Sequence, residues 1–142
     1  MRRFASLIES LDTTNKKNIN GVELAYYFKE VSKKDALWTV ALLSHRRPSR
    51  PVTTTLMRTW AAEEAGLPLW LFEESYHIVG DLAETIALLV QKEGRGVPSS
   101  LTEYIEKIIE LKSQTDKEKK EYILSQWKSL NYFERFVFNK IL

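Results

Sequence analysis

No cysteine occurs among the 142 residues, so disulfides and thiolate chemistry are excluded, as suits a reducing compartment. Glycine is scarce: the five glycines are Gly21, Gly66, Gly80, Gly94 and Gly96. None of them sits in the Gly-x-x-x-x-Gly-Lys-Ser/Thr spacing of a phosphate-cradling loop. There are two histidines, His45 and His77. Glu74-x-x-His77 has the carboxylate–histidine spacing of helical metal bundles, but such a centre needs a second matching motif on a facing helix. His45 has no glutamate at that offset, so no metal ligand set is assigned. Long apolar runs are missing too. The longest, around 36–43 and 85–90, fall far short of the roughly 20 residues that cross a bilayer. Met1-Arg2-Arg3 is similar to the start of a signal peptide, yet Glu9 and Asp12 interrupt the apolar stretch that would have to follow. The reading is one soluble, cytoplasmic domain with no membrane partner, acting as a monomer and long enough to bury a core without staples.

What is present is most concentrated in His45-Arg46-Arg47-Pro48-Ser49-Arg50-Pro51, a basic loop that runs into Val52-Thr53-Thr54-Thr55. Prolines cannot continue a helix and bias the preceding Arg47 and Arg50 towards extended backbone, so the arginines are displayed on a stiff connector. Guanidinium forks and the free N–H groups of a helix start both complement phosphate oxygens. Arg46, Arg47 and Arg50, with Thr53 and Thr54 at the following helix start, are therefore candidate phosphate-binding residues. A solvated connector is the alternative. Lys33, Lys34 and Arg58 are weaker candidates, because helix faces routinely carry solvated cations.

The net charge of +2 conceals segregation. Through Trp60, eleven basic residues face five acidic ones, a net +6; from Ala61 to Glu93 seven acids meet only Lys92, a net −6. A polyanion would thus be engaged mainly by the first third. The acidic middle is expected to face solvent or a neighbouring protein module.

Periodicity predicts helix nearly throughout. Phe4, Leu7, Ile8 and Leu11 follow the spacing of one helical face. After a polar, Asn-rich turn, Val22, Ala25, Tyr26 and Val31 mark a second helix, with Tyr27 and Phe28 widening its buried side. Ser32-x-x-Asp35 starts a third through Leu43, carrying Leu37, Trp38, Val40 and Ala41. Thr53 or Thr54 caps a fourth that Gly66 ends, and Pro68 suits the first turn of a fifth running towards Val79. Gly80-Asp81 either breaks the pattern or opens a sixth. Ser100-x-x-Glu103, Thr115-x-x-Glu118 and Asn131-x-x-Glu134 place capping signals before three further segments. The Gly94-Arg95-Gly96-Val97-Pro98 break divides the domain into two helical halves near 92–99. The expected core is Phe4, Leu7, Leu11, Phe28, Trp38, Trp60, Leu82, Ile86, Ile105, Ile108, Ile123, Trp127 and Phe136. Paired aromatics such as Trp70 with Phe72 and Phe133 with Phe136 also have core spacing.

Phe72 to Leu89, with Val79-Gly80-Asp81-Leu82-Ala83-Glu84 at its centre, resembles the helical N-terminal DNA-binding domain of ATP-dependent DNA ligases, in which a Gly-Asp-Leu element recurs. The opening Phe4-x-x-Leu7-x-x-x-Leu11-Asp12-x-Thr14, the Arg46–Pro51 loop and the closing Leu130–Arg135 look like bacterial members, so the resemblance spans the chain. It implies a compact all-α module that wraps nicked duplex DNA by its backbone, beside the adenylation and OB-fold domains of a parent enzyme sealing nicks in replication, repair or recombination. ATP and Mg2+ are implied for those other domains and no cofactor for this one. Gly80 acquires a possible role in letting a phosphate approach the N–H groups of Asp81 and Leu82; close helix packing is the other reason for a glycine there. The family's adenylation motif, Lys-x-Asp-Gly, is missing: no glycine follows an aspartate. The chain therefore reads as a single binding domain without catalytic residues. The alternative function is a helical interaction domain whose arginine loop binds an acidic protein or RNA.

Overall fold

The computed structural model describes residues 1–13, 17–90, 96 and 98–142, and only the backbone of 12, 13 and 17–20. The turn expected between the first two helices and most of the 92–99 break lie outside the described residues. The described residues form nine helices and no strand: α1 (Arg2–Thr13), α2 (Lys17–Glu30), α3 (Lys33–Leu43), α4 (Thr54–Ala65), α5 (Leu69–Val79), α6 (Leu82–Leu89), α7 (Leu101–Leu111), α8 (Asp116–Ser129) and α9 (Tyr132–Ile141). Local chemistry sets their starts. Ser32, Thr53, Asp81, Ser100, Thr115 and Asn131 each accept, through the side chain, the backbone N–H three residues on. Each bond satisfies one of the donors a helix start leaves unpaired and contributes about 1 kcal/mol. At α9 the capping box closes, with Glu134 Oε1 accepting the Asn131 N–H at 3.1 Å.

Gly66 and Gly80 end α4 and α5 in the left-handed region, at φ 70° and 82°. At Gly80 this answers a question the sequence left open. A Cβ there would meet nothing within 4 Å, so close packing does not require the glycine; the positive φ does. Asp81 then begins α6 at once, its carboxylate accepting the Glu84 N–H at 3.0 Å and its carbonyl the Thr85 hydroxyl at 2.7 Å. Gly-Asp-Leu is thus one helix's end joined directly to the next helix's start.

One hydrophobic core draws on residues from both sides of 92–99, from Phe4 and Trp60 to Ile105 and Trp127. Across that segment α9 packs on α1 and α6, α7 on α3, and α8 on α4. Leu11, Trp38, Leu82 and Phe136 pack against the core from its edge, partly exposed. Several expectations are corrected here. Phe28 is 39% exposed and Tyr27 is buried in its place. Val22, Tyr26, Leu37 and Val40 face outward, while α3 turns Asp35 and Thr39 inward. The reason is polar pairing. The Tyr27 hydroxyl and Thr39 Oγ1 lie 2.6 Å apart, and the Asp35 carboxylate accepts the Thr102 N–H at 2.8 Å together with the Thr102 hydroxyl. Buried polar groups are tolerated when bonded, and Asp35 also serves the positive N-terminus of α7. On α5, Phe72 is fully buried but Trp70 is 67% exposed, so that aromatic pair is not a core stripe. Phe133 and Phe136 are in ring contact at 5.6 Å.

α9 is fixed by a polar latch. Arg135, 2% exposed, donates to the carbonyls of Ala87 and Val90 at the end of α6 and of Trp127 and Leu130 at the end of α8. A guanidinium there complements the negative ends of two helix dipoles. Burial pulls its pKa down. Asn139 Oδ1 accepts the Trp127 indole N–H at 2.7 Å, and its amide donates to the Ala83 carbonyl at 3.2 Å. The latch carries the outer turn of α9, and with it Lys140, to the start of α6.

Candidate nucleic-acid interface

The basic loop is anchored at both ends. At its start, α3 closes with the His45 N–H bonded to the Leu42 carbonyl at 3.0 Å and the Arg46 N–H to Ala41 at 2.8 Å, the paired bonds of a Schellman turn. The left-handed position that usually falls to glycine is taken by His45, at φ 62°. At its far end Pro51 and Val52 are buried. Thr53 then caps α4, its hydroxyl oxygen accepting the Leu56 N–H at 3.2 Å. Between these anchors Arg46, Arg47 and Arg50 are exposed.

Arg47 reaches across the fold to donate to the Lys140 carbonyl at 3.0 Å. That contact joins the loop to α9 and frames a groove of about 330 Å³ bordered by Arg47, Arg50, Thr54, Gly80, Asp81 and Lys140. Three cations and one carboxylate share it with the first turns of α4 and α6, whose free N–H groups add positive potential. Lys140 Nζ pairs with the Asp81 carboxylate and lies 5.5 Å from the centre of the Phe136 ring. Burial alone would raise the Asp81 carboxyl, but hydrogen bonds from Lys140 and the Glu84 N–H outweigh it and hold the group below its ordinary value. An ionised Asp81 occupies the α6 start and partly neutralises Lys140, so the groove's uncompensated positive charge rests on Arg47, Arg50 and the α4 end.

Arg47, Arg50, Thr54 and Gly80 therefore come together, with Thr53 one residue from the groove at the cap of α4. Arg46 lies on the other side of the loop, beside Trp38 and Lys112. Arg58 is engaged elsewhere: its guanidinium pairs with Glu73 at 3.1 Å and bonds the Thr54 carbonyl and Thr55 hydroxyl, each at 3.3 Å. Lys33 and Lys34 are exposed in the first turn of α3; at 1.5 Å rise per residue, that is about 15 Å from the loop leaving its other end. Lys140 escaped the sequence reading, and its only local signal was a cation in the last turn of a helix. The acidic middle is matched internally more than expected. Glu63 pairs with Lys120 at 2.9 Å, Glu64 with Lys128 at 3.5 Å and Glu73 with Arg58.

Fold and groove together define an all-α domain in which the exposed cations Arg47, Arg50 and Lys140 meet beside the starts of α4 and α6. The family model described as DNA ligase N terminus matches residues 1–142, the whole chain, which therefore belongs to that family. No curated protein matches it.

Proposed function

We propose that this domain binds duplex DNA without reading its sequence, as the N-terminal domain of an ATP-dependent ligase that seals 5′-phosphate/3′-hydroxyl nicks. The observation that carries the reading is the meeting of Arg47, Arg50 and Thr54 with Gly80 and Lys140 in one groove. Residues separated by up to 93 positions surround a space where backbone phosphates find guanidinium forks, an ammonium and helix N–H groups. Such contacts position a duplex without specifying bases. Ligation chemistry is assigned to the adenylation and OB-fold domains of the parent, with ATP and Mg2+, because no lysine here stands in Lys-x-Asp-Gly.

Titration of nicked and intact duplexes of unrelated sequence against this chain tests the reading. Binding should be similar across sequences and fall steeply with salt, by about 0.9 log unit of affinity per log unit of salt for each phosphate neutralised. Absence of duplex binding at low salt, with capture of an acidic protein or RNA instead, would favour the interaction-domain alternative. With nicked DNA, ATP and magnesium, the chain should gain no covalent nucleotide. An adenylate mass increase abolished by replacing one lysine would contradict the assignment of chemistry to other domains.

A further inference from the structure

A second groove, of about 390 Å³, lies on the opposite side of the basic loop, between α3 and the end of α7. Its floor is apolar: Trp38 and Ala41 come from α3 and the half-exposed Ile109 from α7, with Pro48 closing one side. Arg46, Arg47 and Lys112 provide its charge. No carboxylate lines it, in contrast to the groove that contains Asp81. Among the described residues, Arg46 and Lys112 enter no ion pair, so their charges are not spent within the fold. A partly exposed indole flanked by three cations and no anion matches an unpaired nucleotide, whose base offers a flat apolar face and whose phosphates carry the charge. A base stacked within a duplex has no free face to offer. An acidic peptide would satisfy the cations but leave the indole without a planar partner.

We propose that this groove is a binding site for unpaired nucleotides, the base lying against Trp38 and the flanking phosphates meeting Arg46, Arg47 and Lys112. The inference deepens the nucleic-acid reading above and rests on it. The two grooves would take different parts of one DNA: paired backbone at Arg50 and Lys140, and an unpaired end or flap at Trp38 and Lys112, with Arg47 between them.

The experiment uses this chain, a labelled oligothymidylate of about eight nucleotides and, separately, a labelled blunt duplex, both followed by fluorescence anisotropy at low salt. The oligothymidylate should bind. Trp38→Ala should weaken it about tenfold, since the base loses its aromatic stacking partner, and Trp38→Phe should restore most of the loss. Lys112→Glu, an exposed change that leaves the core intact, should also weaken it. Neither Trp38→Ala nor Lys112→Glu should alter duplex affinity more than about twofold. Duplex binding with no oligothymidylate binding, or with oligothymidylate affinity unmoved by Lys112→Glu, overturns this inference and leaves the duplex reading standing. Oligothymidylate binding sensitive to both positions, with no duplex binding, overturns the duplex reading instead.

Discussion

Arg135 and the loop arginines are the same residue in opposite circumstances. Arg135 is buried and its guanidinium is consumed by carbonyls at the ends of α6 and α8. Arg46 and Arg50 stand on a stiff connector, and no hydrogen bond ties their guanidinium groups among the described residues. Arg47 is intermediate, with one donor on the Lys140 carbonyl and the remainder facing the grooves. A guanidinium has five donors in a fixed fork. Those left over after folding are available to a ligand, so the same substitution should read out as stability at Arg135 and as affinity in the loop.

The largest effect that would sharpen this contrast is Arg135→Ala. Orphaning buried carbonyls at two helix ends should cost about 3 kcal/mol or more, measured by urea unfolding. A loss under about 1 kcal/mol would mean that the latch is dispensable. Next comes Arg47→Ala with Arg50→Ala, the two loop arginines that border the groove of Gly80 and Lys140. Duplex affinity should drop about tenfold or more, because charge-assisted contacts contribute about 1.5–3 kcal/mol each, while the thermal midpoint stays nearly fixed. Lost stability with unchanged affinity would reverse the comparison.

Asp81→Asn should act in the other direction. Asparagine keeps the cap of α6 but removes the charge paired with Lys140, so duplex affinity should rise a few-fold; an unchanged or lower affinity would remove Lys140 from the site. The same carboxylate gives a pH signature. Its folded pKa lies below its unfolded value, so its contribution is complete above the unfolded value of about 3.9 and fades as pH falls through the folded one. Acid unfolding of Asp81→Asn should accordingly be less steep in that window. His45 tests the backbone of the loop itself. His45→Val should destabilise by about 1–2 kcal/mol, since a β-branched residue is disfavoured at positive φ, and His45→Gly should be tolerated. Equal stability of the two would show that this turn stores no conformational cost.

The elements legible in the sequence were those written in local chemistry. Five caps, one terminating glycine and nine periodic segments each depend on residues within a few positions of one another, and the helices follow them closely. Which face of a helix turns inward was legible only where burial is apolar. At α2 and α3 the inward residues are Tyr27, Asp35 and Thr39, made acceptable by partners such as Thr102, 67 positions beyond Asp35. No periodicity rule can see such a pairing. The site divides in the same way. Arg47, Arg50 and Thr54 stood out as a local motif, whereas Lys140 joins them only because α9 packs on α6 and offers its carbonyl to Arg47. The Gly80 position was legible as special, but its reason, the positive φ between two abutting helices, was not.

The central claim, that the loop arginines are free for phosphate, is tested most directly by the salt dependence of duplex binding in the unaltered chain and in the triple substitution Arg46→Ala, Arg47→Ala and Arg50→Ala. The log–log slope should become shallower by about 0.9 for each phosphate contact removed, with helicity and thermal midpoint unchanged. A slope and affinity identical to those of the unaltered chain would contradict the claim and place the DNA on another face of the domain.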